Sequence, residues 1–251
     1  MLSKSKIKLI NSLNLGKFRK RHGLFIAEGS INVLDFLKSD IKVEALYATR
    51  EWIEGNIQYL SKIDITEVNA KELKKISNLK NPSEVFAVFK IPDNVVPNLH
   101  EVKETILMID DMRDPGNLGT IIRTADWFGI QHIICSPDSV DAYNPKVVQA
   151  SMGSLARVQI HYQNLEKVIK SKPDYLNVFG AVLDGDNIAD VAKPNHSIIL
   201  IGSEAHGISK KLIPLIDKKI TIPNTPSPDG SSAESLNASI ATAIICYEFR
   251  K

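Results

Sequence analysis

Apolar residues in this chain fall into short continuous runs, and stretches of helical spacing lie between them. Val85-Phe-Ala-Val-Phe89 is the clearest run and reads as a strand buried on both faces. Gly23-Leu-Phe-Ile-Ala, Val43–Ala48 and Ile63–Val68 read as further short strands. Ile7, Leu9, Ile10 and Leu13 share one face of a helix over 3–13, with lysines around them. A second helical pattern runs through Val33, Leu34 and Leu37, and a third covers 70–77. These elements predict a small α/β domain over residues 1–92. Ile91-Pro-Asp-Asn-Val-Val-Pro-Asn98 has two prolines and no period, so a linker is expected over 93–103.

From 104 to 251 the alternation is more regular. Thr105–Ile109, His132–Cys135, Val178–Leu183, Ser197–Ile201 and Lys219–Ile222 read as strands. Helical patterns fall at 118–128, 145–151, 164–170 and 209–216, and a last one at about 236–249. Strands alternating with helices predict a mainly parallel sheet covered on both faces.

Composition narrows the class. With 251 residues, 43% hydrophobic and 24% charged, the chain has enough apolar side chains for a real core and no sign of wholesale disorder. Cys135 and Cys246 sit in apolar runs without CxxC or His spacing, which points to a reduced, cytoplasmic protein without a structural metal. No apolar run is long enough for a membrane span, and no secretory signal is evident. The net charge of +2 says little, but its distribution says more. Residues 1–22 hold Lys4, Lys6, Lys8, Lys17, Arg19, Lys20 and Arg21 and no acid; the first carboxylate is Glu28. Such a cluster suits a phosphate backbone and equally suits a solvated face.

Three strand-loop-helix transitions carry candidate chemistry, as loops at the carboxyl ends of strands do in α/β sheets. The first is Asp110-Asp-Met-Arg-Asp-Pro-Gly-Asn-Leu-Gly119, running on to Arg123. Leu118, Ile121, Ile122, Ala125 and Phe128 form an apolar stripe, and Gly129 is a natural stop. Asn117 is a plausible helix cap and Arg123 falls on the wet face. The second is Ile201-Gly-Ser-Glu-Ala-His-Gly207, where Gly202 lets a ligand approach the backbone. The third is Ile222-Pro-Asn, then a proline-rich insert, then Glu234-Ser-Leu-Asn237. Ser231-Ser-Ala-Glu234 has the form of an ordinary capping box, which accounts for neither Ser235-Leu-Asn237 nor the small residues Ala238, Ala241 and Ala243. No GxGxxG or GxxxxGK[ST] loop, Ser-His-Asp elbow or metal-ligand cluster is present, which disfavours Rossmann-type enzymes.

Together the three segments resemble the motifs of SpoU-type (TrmH-type) RNA ribose 2′-O-methyltransferases of the SPOUT superfamily, and Lys17-Phe-Arg-Lys-Arg-His-Gly-Leu-Phe-Ile-Ala-Glu-Gly29 resembles their opening signature. The resemblance covers nearly the whole chain. The chain departs from the pattern in the longer loop from Thr225 through Ser232.

The resemblance implies a C-terminal trefoil knot, a rare topology. It also implies a pocket for S-adenosylmethionine, a homodimer with clefts near the interface, and an N-terminal substrate domain like ribosomal-protein RNA-binding folds. By analogy Arg123, Asn117, Glu204, Ser235 and Asn237 serve catalysis. Ile201, Gly202, Ile222, Pro223, Leu236 and Asn237 hold the cofactor, and Lys17, Arg19, Lys20 and Arg21 hold RNA. The implied chemistry is an in-line methyl transfer to a ribose hydroxyl, which needs alignment and charge stabilisation. Arginine is a difficult literal base, so orientation of a phosphate is an equal reading for Arg123. The expected substrate is 23S ribosomal RNA. Transfer RNA is the alternative within the enzyme class, and a non-catalytic RNA-binding protein that kept the fold is the alternative outside it.

Overall fold

The computed structural model describes residues 2–61, 63–226, 228–229 and 231–251. The elements begin with α1 (Lys4–Ser12), α2 (Gly16–His22), β1 (Leu24–Glu28), α3 (Ser30–Leu37), β2 (Val43–Ala48) and α4 (Arg50–Gly55). Next come β3 (Ile65–Glu67), α5 (Ala70–Leu73), β4 (Val85–Lys90), β5 (Ile106–Ile109), α6 (Pro115–Trp127), β6 (His132–Cys135) and α7 (Pro145–Ser151). The chain closes with β7 (Gln159–Tyr162), α8 (Leu165–Lys170), β8 (Asn177–Asn187), β9 (Ser197–Ile201), β10 (Lys218–Thr221) and α9 (Ala238–Arg250).

Two compact units result. One runs to Asp93 and takes in Asp141–Arg157; the other comprises Asn94–Val140 and Val158–Lys251. Residues 91–98 carry no helix or strand.

The first unit holds a four-stranded sheet in the order β1-β4-β2-β3, with β4 antiparallel to both neighbours and β3 parallel to β2. Successive side chains on a strand point to opposite faces. Ile26, Phe86 and Val88 therefore turn one way and join Ile10 and Leu13 at the end of α1 and Leu73 and Ile76 around α5. Phe25 and Phe89 turn the other way. There Phe36 of α3 and Tyr143 complete an aromatic cluster, with ring centroids 4.8 to 5.6 Å apart. The ion pairs Arg19–Asp141 and Arg157–Asp35, at 2.6 and 2.9 Å, also tie residues 141–157 into this unit. The expected second domain over 104–251 thus lends this segment to the first.

The second unit holds six strands in the order β10-β8-β9-β5-β6-β7, and every neighbouring pair is parallel. The uninterrupted apolar runs of β5 and β9 are buried throughout, as strands covered on both faces must be. Met108, Ile134, Val178, Ile198 and Leu200 pack with Leu165 and Ile169 of α8. Phe179, on the opposite face from Val178, meets Phe249 of α9 edge-on at 4.9 Å.

Several elements depart from expectation. The segment 209–216 is turns and one 3-10 turn, Ile213–Leu215, because Pro214 cannot donate to a helical ladder. Strand β7 and helices α2 and α4 were not expected. β8 runs on to Asn187, and the register of β10 against it shifts between Lys219 and Ile220. A Cβ on Gly185 would lie 2.6 Å from the Ile220 backbone, so only glycine permits that crossing.

Candidate active site

The site is built by the three loops that follow β5, β9 and β10. After β5 the chain bends sharply through Asp111, whose φ is +51°. Serine hydroxyls hold this bend. Ser136 Oγ accepts from Asp111 N at 2.8 Å, and Ser139 Oγ accepts from Met112 N at 3.2 Å. Helix α6 starts earlier than the apolar stripe suggested. Asp114, not Asn117, is its cap: Asp114 Oδ1 accepts from the Asn117 backbone N–H at 2.8 Å, and Pro115 opens the helix. That leaves the Asn117 side chain free for other work.

Asn117 Nδ2 donates to Glu204 Oε1, and Asn117 Oδ1 accepts from Asn237 Nδ2 at 2.9 Å. Asn237 Oδ1 in turn caps α9 by accepting from the backbone N–H groups of Ser239 and Ile240. One carboxamide relay therefore joins all three loops. The capping-box reading of Ser231 and Glu234 is set aside, because α9 begins at Ala238 and Ser231 bonds to Asp229 instead. Asn224 Nδ2 donates to Ser232 Oγ at 2.9 Å across the base of the long loop. Ser227 and Gly230 of that loop lie outside the described residues.

A cleft of about 580 Å³ opens beside the middle of β8 and the ends of β9 and β10. Of the residues expected at a cofactor, Ile201, Gly202, Ile222 and Leu236 line it, together with Glu204 and Ser235. Pro223, Asn237, Asn117 and Arg123 do not. Ala238 and Ala241 line the cleft and leave room for a ligand there, while α9 also packs closely along α6. His206, given no role from the sequence, and the β8 residues Val182, Leu183 and Asp184 complete the wall. No sequence signal marked the β8 residues, since they enter only through sheet topology.

Gly202 is required by the chain itself. A Cβ there would overlap the Gly207 carbonyl carbon and Ile208 N. Ser203 and Gly207 exchange two backbone hydrogen bonds, at 3.1 and 2.9 Å, which close the loop on itself. Gly207 supplies the positive φ, +63°, that this closure uses.

Arg123 stands apart from the relay. It lies six residues beyond Asn117, roughly 120° away around the helix. It is exposed, with no hydrogen-bond or ion-pair partner among the described residues. Ser235 likewise makes no hydrogen bond to Asn117, Glu204 or Asn237.

The basic cluster divides. Lys17, Lys20 and Arg21 are exposed on α2. Arg19 is 3% exposed and fully engaged: Nε and Nη2 donate to Asp141 Oδ2 at 2.8 and 2.6 Å, and Nη1 donates to the carbonyls of Leu13 and Asn14. It is a structural anchor and is withdrawn from the expected RNA contacts.

Among the described residues no group of three or more His, Cys, Asp or Glu could hold a metal ion, and no helix is long and apolar enough to cross a membrane. Burial pushes both cysteine thiols up to about 12, so neither is a ready nucleophile.

Known proteins resemble this chain in sequence and fold. Residues 4–87 match the MRM3-like substrate binding domain. The 23S rRNA (guanosine(2553)-2′-O)-methyltransferase RlmP of Bacillus subtilis is 27% identical over 98% of this chain and 96% of its own. A TrmH-family protein from Porphyromonas gingivalis superposes with a TM-score of 0.88 at 37% identity, over 100% of this chain and 98% of that one. The S-adenosylmethionine-bound rRNA methyltransferase of Sinorhizobium meliloti gives 0.85 at 30% identity, over 100% and 96%. With residues 104–247 matching its methylase domain, this chain belongs to the SpoU rRNA Methylase family.

Proposed function

We propose that the protein transfers a methyl group from S-adenosylmethionine to a ribose 2′-hydroxyl of 23S ribosomal RNA in the cytoplasm. The observation that carries this reading is the cleft bounded by Gly202, Ile222 and Leu236, with the Asn237–Asn117–Glu204 relay beside it. Family membership and the named activity of the Bacillus subtilis relative support the substrate.

The cleft suits the cofactor. Its size falls in the range of small-molecule sites, roughly 300–1,000 Å³. Ile201, Ile222, Leu236 and Ile245 give it apolar walls, while Glu204 and Glu234 place carboxylates where a cationic ligand gains from them. When bound, S-adenosylmethionine supplies a methyl group made electrophilic by its sulfonium. Gly202, Ile222 and Leu236 would hold it, with Ser235 on the same wall and Pro223 and Asn237 fixing the loops behind. Asn117 fixes the position of Glu204 relative to α9, which sets the geometry in which an incoming ribose must lie. Arg123 offers a permanently charged fork for a phosphate beside the reacting hydroxyl and for the charge that grows on its oxygen.

Residues 1–92 serve as the RNA-binding part, with Lys17, Lys20 and Arg21 on phosphates, and 93–103 connects them to the methyltransferase part over 104–251. The trefoil knot implied by the SPOUT resemblance belongs to the same reading.

We take the working form to be a homodimer. The outer side of α9 supports this: Ile240 and Tyr247 are half exposed, and Ala243 and Ile244 lie between them at helical spacing. Trp127 at the end of α6 is 84% exposed. Such an apolar surface calls for a partner.

Titration of the protein with S-adenosylmethionine, followed by mapping of 2′-O-methyl sites in ribosomal RNA with and without the gene, tests the reading. Absence of cofactor binding, or an unchanged methylation map, would overturn it.

A further inference from the structure

We propose that Asp110 and Ser209 form a positioning pair that presets the cofactor loop, a role that rests on the function proposed above. Asp110 follows β5 directly and is 3% exposed. Its backbone N–H donates to the Ile201 carbonyl at 2.9 Å, so it sits beside the point where β9 ends and the loop begins. Its carboxylate reaches past the loop to the far end. Asp110 Oδ2 accepts from Ser209 N at 2.7 Å and from Ser209 Oγ at 2.5 Å.

The segment between these two anchors is stiff within itself, through the close approach at Gly202 and the paired hydrogen bonds of Ser203 and Gly207. A closed loop of this kind moves as a body. What sets its placement over the cleft is how its ends are held. Residue 201 is fixed by the sheet. Beyond Ile208 the chain enters turns without an α-helix, and that end is held by the burial of Ile208 and Leu212 in the core, which fixes its depth without directing its polar backbone. Asp110 adds a directional hold, two charge-assisted hydrogen bonds on one oxygen.

The choice of a carboxylate is informative. Burying a charge is a poor route to bulk stability, since well-packed apolar groups do as well. It is a good route to one defined geometry, because an uncompensated alternative is costly. Asp110 also opens the loop that leads to Asp114 and Asn117. The same residue therefore sets the base of the cofactor loop and the start of the arm whose Asn117 meets Glu204 on the loop's rim.

Asp110→Ala would strand two part-buried donors and risks misfolding, so Ser209 is the residue to change. Wild type, Ser209→Ala and Ser209→Thr are titrated calorimetrically with S-adenosylmethionine as full chains, and methyl transfer to ribosomal RNA is followed. Ser209→Ala should weaken cofactor binding about five- to tenfold. The KM for cofactor should rise by the same factor while kcat changes little, and Ser209→Thr should recover wild-type values. Wild-type affinity in Ser209→Ala, failure of Ser209→Thr to recover, or a loss confined to kcat would each overturn the proposal. If the wild type itself binds no S-adenosylmethionine, the functional reading fails first, and that result is visible before any variant is compared.

Discussion

Asn237 Nδ2 and Asn117 Oδ1 meet at 2.9 Å across 120 residues of chain, one at the start of α9 and the other in the first turn of α6. Neither carboxamide is spent within its own helix alone. Asp114 caps α6 and so releases Asn117, while Asn237 uses its oxygen for α9 and its nitrogen for Asn117. The pair fixes two helix starts against each other and, through Glu204, against the third loop. Asn117→Ala removes both bonds at once. The expected result is a fall in kcat/KM of about tenfold or more, as misplaced reacting groups cost rates of this order. Thermal stability should hardly change, because the Asp114 cap survives. Steady-state methyl transfer with a melting curve checks this; wild-type kcat/KM would refute it.

Arg123→Ala should cost about a hundredfold or more in methyl transfer, the scale of removing a charge-stabilising donor. Fold and cofactor affinity should remain, since Arg123 belongs neither to the apolar stripe of α6 nor to the cleft wall. Arg123→Lys should recover little, because an ammonium cannot reproduce the fork. Near-normal turnover in Arg123→Ala would refute the assignment. Loss of the folded circular dichroism signal would show a structural role.

The α2 cations should separate cleanly. Lys17, Lys20 and Arg21 changed together to Ala should weaken RNA binding and lower its log–log salt slope by roughly 0.7–0.9 for each phosphate the protein no longer neutralises. Arg19→Ala should instead destabilise the fold by about 2–3 kcal/mol, below the roughly 3–5 of a fully buried pair because Asp141 is partly solvated. Salt-series filter binding and urea unfolding on the same variants read the two effects. A triple variant with the wild-type salt slope would place RNA elsewhere.

Acid should destabilise the second unit through His161. Burial first, and then the neighbouring His132, push the His161 imidazole down to about 4. Its Nε2 lies 3.2 Å from His132 Nδ1, and its own Nδ1 is buried without a partner among the described residues. Above the ordinary value, about 6.5, both folded and unfolded chains hold the ring neutral and stability is complete. Below it the unfolded chain takes a proton that the folded one refuses. Stability therefore falls as pH drops from about 6.5 toward 4, by at most about 3 kcal/mol. Urea unfolding at pH 7.5 and pH 5 should show the loss, and His161→Gln should reduce it. Equal pH dependence in the variant would acquit this histidine.

Ile240→Asp combined with Tyr247→Asp should make the protein sediment as a monomer at micromolar concentration, if α9 carries the dimer interface. Charged groups placed in a desolvated interface without partners are costly there. A variant that still sediments as a dimer would move the interface away from α9.

Much of this was written plainly in the sequence. The buried runs Val85–Phe89 and Ser197–Ile201 announced their strands, and Gly129, with a φ of +67°, stops α6 as its position suggested. Local pattern failed where tertiary contacts decide. Helix α2 has one strong apolar residue, Phe18, and depends on the buried bonds of Arg19, which no charge count distinguishes from its exposed neighbours. Asn117 looked like a cap because Asn caps well; Asp114, three residues earlier, does that work. Ala238 and Ala241 line the cleft while α9 also packs along α6, and smallness alone does not say what each space is for.

The membership of residues 141–157 has a consequence for how such proteins can be recombined. The chain leaves the first unit after Asp93, returns at Asp141 and leaves again after Arg157. A gene fragment ending at Asp93 would encode a first unit in which Phe25 lacks Tyr143 and the buried guanidinium of Arg19 lacks its carboxylate. Transplanting the N-terminal half onto a relative by a single crossover would therefore carry over an open aromatic face and a stranded charge. A working chimera needs a second graft, inside the other half of the gene, so the two parts of this protein are inherited as one.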